Sequence, residues 1–215
     1  MSTYIFCSFL FKGGGIKLSQ KGQEVKKITK SDLKKIRQYL LEKQNIHLLT
    51  FINVGINTAL KITELSKMRL EDINSDWSID IFSSKNQKKQ TIKFNQLCID
   101  SIKKLKEFYK EKGFSPDEGY LFKSLSFHNI NQKIDKPITT NGVSRQFVRL
   151  REVLDIPYPI GTQSLSKTWG YYVYRETKDI HLIMRILNKK TPEEALKYIG
   201  YYEKEELLDF KDFEI

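Results

Sequence analysis

The sequence has little of what anchors a protein in a membrane, staples it with disulfides or builds a metal centre. No apolar run approaches the ~20 residues that cross a bilayer, and the opening MSTYIFCSFLF lacks the basic start and small-residue cleavage site of a secretory signal. A cytoplasmic protein with no membrane partner is expected. Cysteine is confined to Cys7 and Cys98, which make neither a disulfide framework nor a metal-ligand spacing. His47, His128 and His181 stand far apart, so no metal and no cofactor is expected. Neither an internal repeat nor a heptad array is visible, which excludes solenoids and coiled coils. Negative charge is also scarce, with 26 acidic against 37 basic residues and a net charge of +11 at pH 7. A surplus of that size attracts nucleic acid or an anionic membrane surface, and double-stranded DNA is the better match.

What is present divides into three parts. Residues 1–26 read as an appendage, because Gly13-Gly14-Gly15 and a polar stretch separate them from any periodic pattern. The body spans residues 27–203, and an acidic and apolar tail occupies 204–215. With 40% hydrophobic residues the body is long enough to bury a core. Thr29 and Asp32 make a cap pattern, followed by Leu33, Ile36 and Leu40 at helical spacing. A second helix, 46–58, is apolar on most sides and is expected at the centre of the core. A short third helix covers 62–68. Between 78 and 95 the period changes to two, with Ile79 and Ile81 answered by Ile92 and Phe94 across the polar turn KNQKKQ, so a β-hairpin with lysines at its tip is expected. Helix 96–112 places Leu97, Ile102, Leu105 and Phe108 on its apolar face and ends at Gly113, and 114–136 is irregular. Helix 139–154 buries Val143, Phe147, Leu150 and Leu154 and carries Arg145 and Arg149 on another face. Helices then run to the end, the best marked starting at Thr191-Pro192 with Glu194 as the reciprocal carboxylate. The fold class is mainly α with a small antiparallel hairpin, an α+β arrangement.

Cutting a DNA strand without metal needs a side-chain nucleophile, cations around the phosphorus and an acid for the departing oxygen. The order helix, lysine hairpin, tyrosine-bearing helical end resembles the catalytic domain of the tyrosine recombinases, the phage integrase family, from Lys27 to Glu203. Thr58-Ala59-Leu60-Lys61-Ile62-Thr63-Glu64-Leu65 resembles the family segment that carries its first catalytic arginine, a seat held here by Lys61. Lys85 matches the family's hairpin lysine. Gln163-Ser164-Leu165-Ser166-Lys167-Thr168 resembles the His-x-Leu-Arg motif, with Gln163 for the histidine and Ser166 for the second arginine. Ile186-Leu187-Asn188-Lys189 resembles the Leu-Leu-Gly-His segment, with Lys189 for its histidine, and Lys197-Tyr198-Ile199 puts Tyr198 at the nucleophile's position.

The resemblance therefore implies the recombinase fold with a degenerate site, in which Lys85 and Tyr198 keep their residue and Lys61, Gln163, Ser166 and Lys189 do not. Lysine at 61 keeps a charge but loses the planar fork that holds two phosphate oxygens, and Ser166 keeps neither. Each missing contact costs about 10²- to 10³-fold in rate. Phosphate binding needs only charge, so Lys61, Lys85, Lys88, Arg145, Arg149, Lys167 and Lys189 are the expected DNA-contacting residues. By the resemblance, the tail 204–215 is expected to link subunits of a homo-oligomer, and 26 leading residues are too few for the family's separate N-terminal DNA-binding domain. Three functions stay open: a catalytically inactive DNA-binding regulator of a prophage or mobile element, repressor-like; a working recombinase or integrase that cleaves DNA through Tyr198; and a modulator of an intact recombinase through protein contacts.

Overall fold

Thr29 starts the first helix, α1 (Lys30–Glu42), by accepting from the Asp32 amide at 3.1 Å. The Asp32 carboxylate in turn accepts from the Thr29 and Tyr158 hydroxyls, at 2.7 and 2.5 Å. Leu33, Ile36 and Leu40 face inward, and Ile28 ahead of the cap is fully buried. This computed structural model describes residues 24–82 and 89–202. The tail 204–215, the turn lysines Lys85 and Lys88, Cys7 and nearly all of segment 1–26 lie outside the described residues.

Helix α2 (Ile46–Thr58) is the axis of the main core. Its residues from His47 to Ile56 are all buried, as its near-continuous apolar sequence requires, and it packs on α1, on α4 (Gln96–Glu111) and on α7 (Thr162–Thr177). The α2–α7 crossing is close because Gly55 has no side chain: a Cβ there would lie 2.5 Å from a methyl of Leu165. Helix α3 stops at Leu65 (Ile62–Leu65), three residues short of the expected end. Strands β1 (Ser78–Phe82) and β2 (Lys89–Lys93) form the antiparallel hairpin. Ile79 faces Ile92 as expected, but Ile81 faces Gln90, and Phe94 lies past the ladder with its amide bonded to the Trp77 carbonyl.

The face of α4 is turned relative to the expected one. Cys98, Ser101, Ile102, Leu105 and Tyr109 are buried and Leu97 is exposed, because the helix docks on α2 through the 98–102–105–109 stripe and the Tyr109 hydroxyl donates to the Leu121 carbonyl at 2.8 Å. Segment 114–136 is irregular apart from α5 (Phe127–Asn131), yet Leu121, Phe122 and Lys123 within it are almost fully buried. Helix α6 (Thr140–Val153) buries Val143, Phe147 and Leu150.

A second, smaller core joins α7, α8 (Ile180–Leu187) and α9 (Pro192–Ile199) through Tyr174, Ile183, Leu187, Ala195 and Ile199, with Ala59 reaching it from the end of α2. Ala195 and Ile199, four apart, turn one face of α9 into this core and leave Tyr198 half-buried at its flank. Among the described residues no helix is long and apolar enough to cross a membrane, and no cluster of histidine, cysteine and carboxylate residues could hold a metal ion.

Candidate DNA-binding site

Five short stretches converge on one hollow of about 340 Å³. At the end of α2, Ala59 adopts the left-handed conformation, φ 56°, and swings the chain so that Lys61 caps α3 at the rim. The Lys61 amide donates to the Glu64 carboxylate at 2.9 Å, and its ammonium has no ion-pair partner among the described residues. The start of β2 contributes Lys89 and Gln90, α7 contributes Ser166, α8 and its cap contribute Arg185 and Asn188, and α9 contributes Tyr198.

Tyr198 is held from three sides. Its hydroxyl shares a 2.8 Å hydrogen bond with the Ser166 hydroxyl, which also donates to the Gln163 carbonyl at 3.2 Å. The Lys189 ammonium lies 4.3 Å from the centre of its ring and that of Lys167 lies 5.0 Å from it, both in cation–π range. Neither lysine is free. Lys189 pairs with Glu194 at 3.0 Å, and Lys167, only 4% exposed, pairs with Glu24 at 2.5 Å. The amide of Lys190, followed by the Lys189 ammonium, draws the Glu194 carboxyl below its usual range, and the Lys167 hydrogen bond does the same for Glu24.

The structure thus gathers Lys61, Ser166, Tyr198, Lys167 and Lys189 at or beside one hollow. Gln163 is exposed on the first turn of α7 and does not line it. Arg145 and Arg149 are exposed on α6, where Arg149 borders a separate hollow with Tyr39, Lys43 and Asn45. Four residues at or beside the site were not among the expected site residues. Lys89 follows directly on the turn lysines and continues their charge, Arg185 sits three residues ahead of the cap Asn188, and Lys197, beside Tyr198, lines a groove with Glu24, Lys27 and Lys167. Glu24, the fourth, became visible only through its ion pair.

The protein-family model described as the phage integrase family matches residues 26–205. The chain belongs to that family. It is 32% identical over 168 residues to "Probable integrase/recombinase YoeC" of Bacillus subtilis (strain 168), covering 78% of this chain and 84% of the relative. It is 23% identical to "Probable integrase/recombinase" of Acholeplasma phage L2, over 80% of this chain but 55% of that protein. Among solved structures, XerA recombinase matches with TM-score 0.66 at 17% identity, over 85% of this chain and 62% of the other. A lambda integrase dimer bound to a COC′ core site matches with TM-score 0.62 at 18% identity, over 89% of this chain and 54% of that one. These likenesses show the recombinase fold, and the chain spans only half to two thirds of the solved relatives.

Proposed function

We propose that this integrase-family chain grips a phosphodiester of duplex DNA in the Tyr198 hollow and acts in the cytoplasm as a repressor-like regulator of a prophage or mobile element, with strand cleavage strongly attenuated. One observation carries the reading: the Ser166 and Tyr198 hydroxyls share a hydrogen bond of 2.8 Å, and the resemblance implies that Ser166 stands at the family's second arginine position. A neutral hydroxyl brings neither the positive charge nor the bidentate fork of a guanidinium to charge that develops on phosphate, and the tyrosine oxygen it engages is the one that would attack. Binding makes weaker demands. Lys61, Lys89 and Arg185 border the hollow, and the chain carries +11 overall, so counterion release supplies affinity. DNA-bound neighbours of the same fold support the partner class. In this reading Lys85, Lys88, Arg145 and Arg149 add backbone contacts, and segment 204–215 mediates self-association.

A second reading, a slow recombinase, is favoured by the family membership and by Tyr198 lying beside Lys61 in one hollow. The Tyr198 oxygen would then bond to phosphorus while the phosphorus–sugar oxygen bond breaks; the tyrosine loses a proton and the departing hydroxyl gains one. The test is a nicked suicide duplex chosen by the protein from a randomised pool. Tight, salt-sensitive binding without covalent adduct is expected from wild type and from Tyr198→Phe alike. An adduct in wild type that disappears in Tyr198→Phe establishes the second reading and removes the first.

A further inference from the structure

We infer that Arg185 is the residue whose guanidinium holds the DNA phosphate at this hollow, a deepening that rests on the DNA-binding reading above. Among the described residues that line the hollow, Arg185 is the single arginine, sharing the wall with Lys61, Lys89, Ser166 and Tyr198. Its placement follows from helix packing. Ile183 and Leu187 drive one face of α8 into the smaller core, and the left-handed Asn188 ends the helix, which fixes its rotation and leaves the Arg185 side chain exposed at the opening.

The charges around it single it out. Lys89 is paired with Asp80 at 2.8 Å, Lys189 with Glu194 at 3.0 Å and Lys167 with Glu24 at 2.5 Å. The one carboxylate in the lining near α3, Glu64, accepts the Lys61 amide, and no carboxylate lies within ion-pair distance of Arg185 among the described residues. Among the described residues, Lys61 and Arg185 are therefore the two unpaired cations of the hollow, and of these Arg185 offers a planar fork that can bond two non-bridging phosphate oxygens at once. The guanidinium missing from positions 61 and 166 of the sequence re-enters the same space from another helix. It arrives on an exposed side chain with no carboxylate partner among the described residues to fix it, so it holds phosphate without the rigid preorganisation that fast chemistry demands.

The experiment combines binding and arginine labelling on the full chain. Wild type, Arg185→Ala and Arg185→Lys are titrated with a duplex selected from a randomised pool, across a range of KCl concentrations, and phenylglyoxal modification of each arginine is read by mass spectrometry with and without that duplex. Arg185→Ala is expected to weaken binding about 10- to 100-fold at low salt and to flatten the log K against log salt slope by about 0.9. Arg185→Lys should keep the slope and recover only part of the affinity. Arg185 should react in the free protein and be protected by DNA. Tight wild-type binding with an unchanged slope in Arg185→Ala and no protection overturns the assignment of Arg185 and leaves the DNA-binding reading intact. Failure of wild type to bind any duplex removes the parent reading and this inference with it.

Discussion

If the missing guanidinium is what limits cleavage, restoring it should restore chemistry. The perturbation is Ser166→Arg, alone and with Lys61→Arg. Ser166 is 5% exposed on the face of α7 that borders the hollow, and its hydroxyl lies 2.8 Å from that of Tyr198. Arginine there removes that bond, worth about 1 kcal/mol, frees the tyrosine oxygen and projects a fork into open space of about 340 Å³. One preorganised donor to a charged transition state is worth about 10²- to 10³-fold in rate, and the pair should yield less than the product of the two because they act on the same phosphate. The assay is the rate of covalent adduct formation on a nicked duplex, resolved on denaturing gels. Ser166→Ala controls for loss of the hydroxyl bond, and Tyr198→Phe in the double-arginine background controls for the nucleophile. A double-arginine variant that folds, binds DNA and still forms no more adduct than Ser166→Ala would refute the claim that the emptied seats silence the site.

Other expectations follow from buried groups. His47 is fully buried against Tyr109 and Phe122, and burial pulls its imidazole down to about 4. The unfolded chain, with an ordinary value near 6.5, takes up the proton first, so the stability tied to neutral His47 is intact above about pH 6.5 and declines as pH falls towards 4. The loss is about 2 kcal/mol by pH 5; urea unfolding at pH 7 and pH 5 should show it in wild type and not in His47→Phe. Gly170→Ala would bring a Cβ within 2.6 Å of Ile199 and 3.0 Å of Leu187, so a cost of about 1–3 kcal/mol is expected in urea unfolding, and a neutral result would show that α9 shifts freely. Tyr198→Phe leaves the ring packing and removes only the Ser166 bond, so its unfolding free energy should drop by no more than about 1.5 kcal/mol.

The elements that could be read locally are those whose signals are local. Thr29, Asn95, Thr139 and Thr191 each accept from the amide three residues on, at 3.1, 3.0, 3.1 and 3.2 Å, so the starts of α1, α4, α6 and α9 follow from cap chemistry alone. The face of α4 could not be read that way. Leu97 and Cys98 are both apolar neighbours, and the choice between them was made by the seat on α2 and by Tyr109 reaching the Leu121 carbonyl. The burial of Leu121, Phe122 and Lys123 was hidden for a related reason, since an irregular segment carries no period to reveal which side faces inward.

The order of motifs along the chain determined by itself the family, the mainly helical class, the tyrosine at 198 and the absence of arginine at 61 and 166, because these depend on residue identity and spacing. Which charges are free was decided only in three dimensions. Lys167 and Lys189 look alike with Lys61 in sequence, yet the fold sets Glu24 and Glu194 against the first two, while the third has no ion-pair partner among the described residues. Ion pairing depends on distances across elements far apart in the chain, and so does the arrival of Arg185 from α8 at the hollow lined by Lys61 and Ser166.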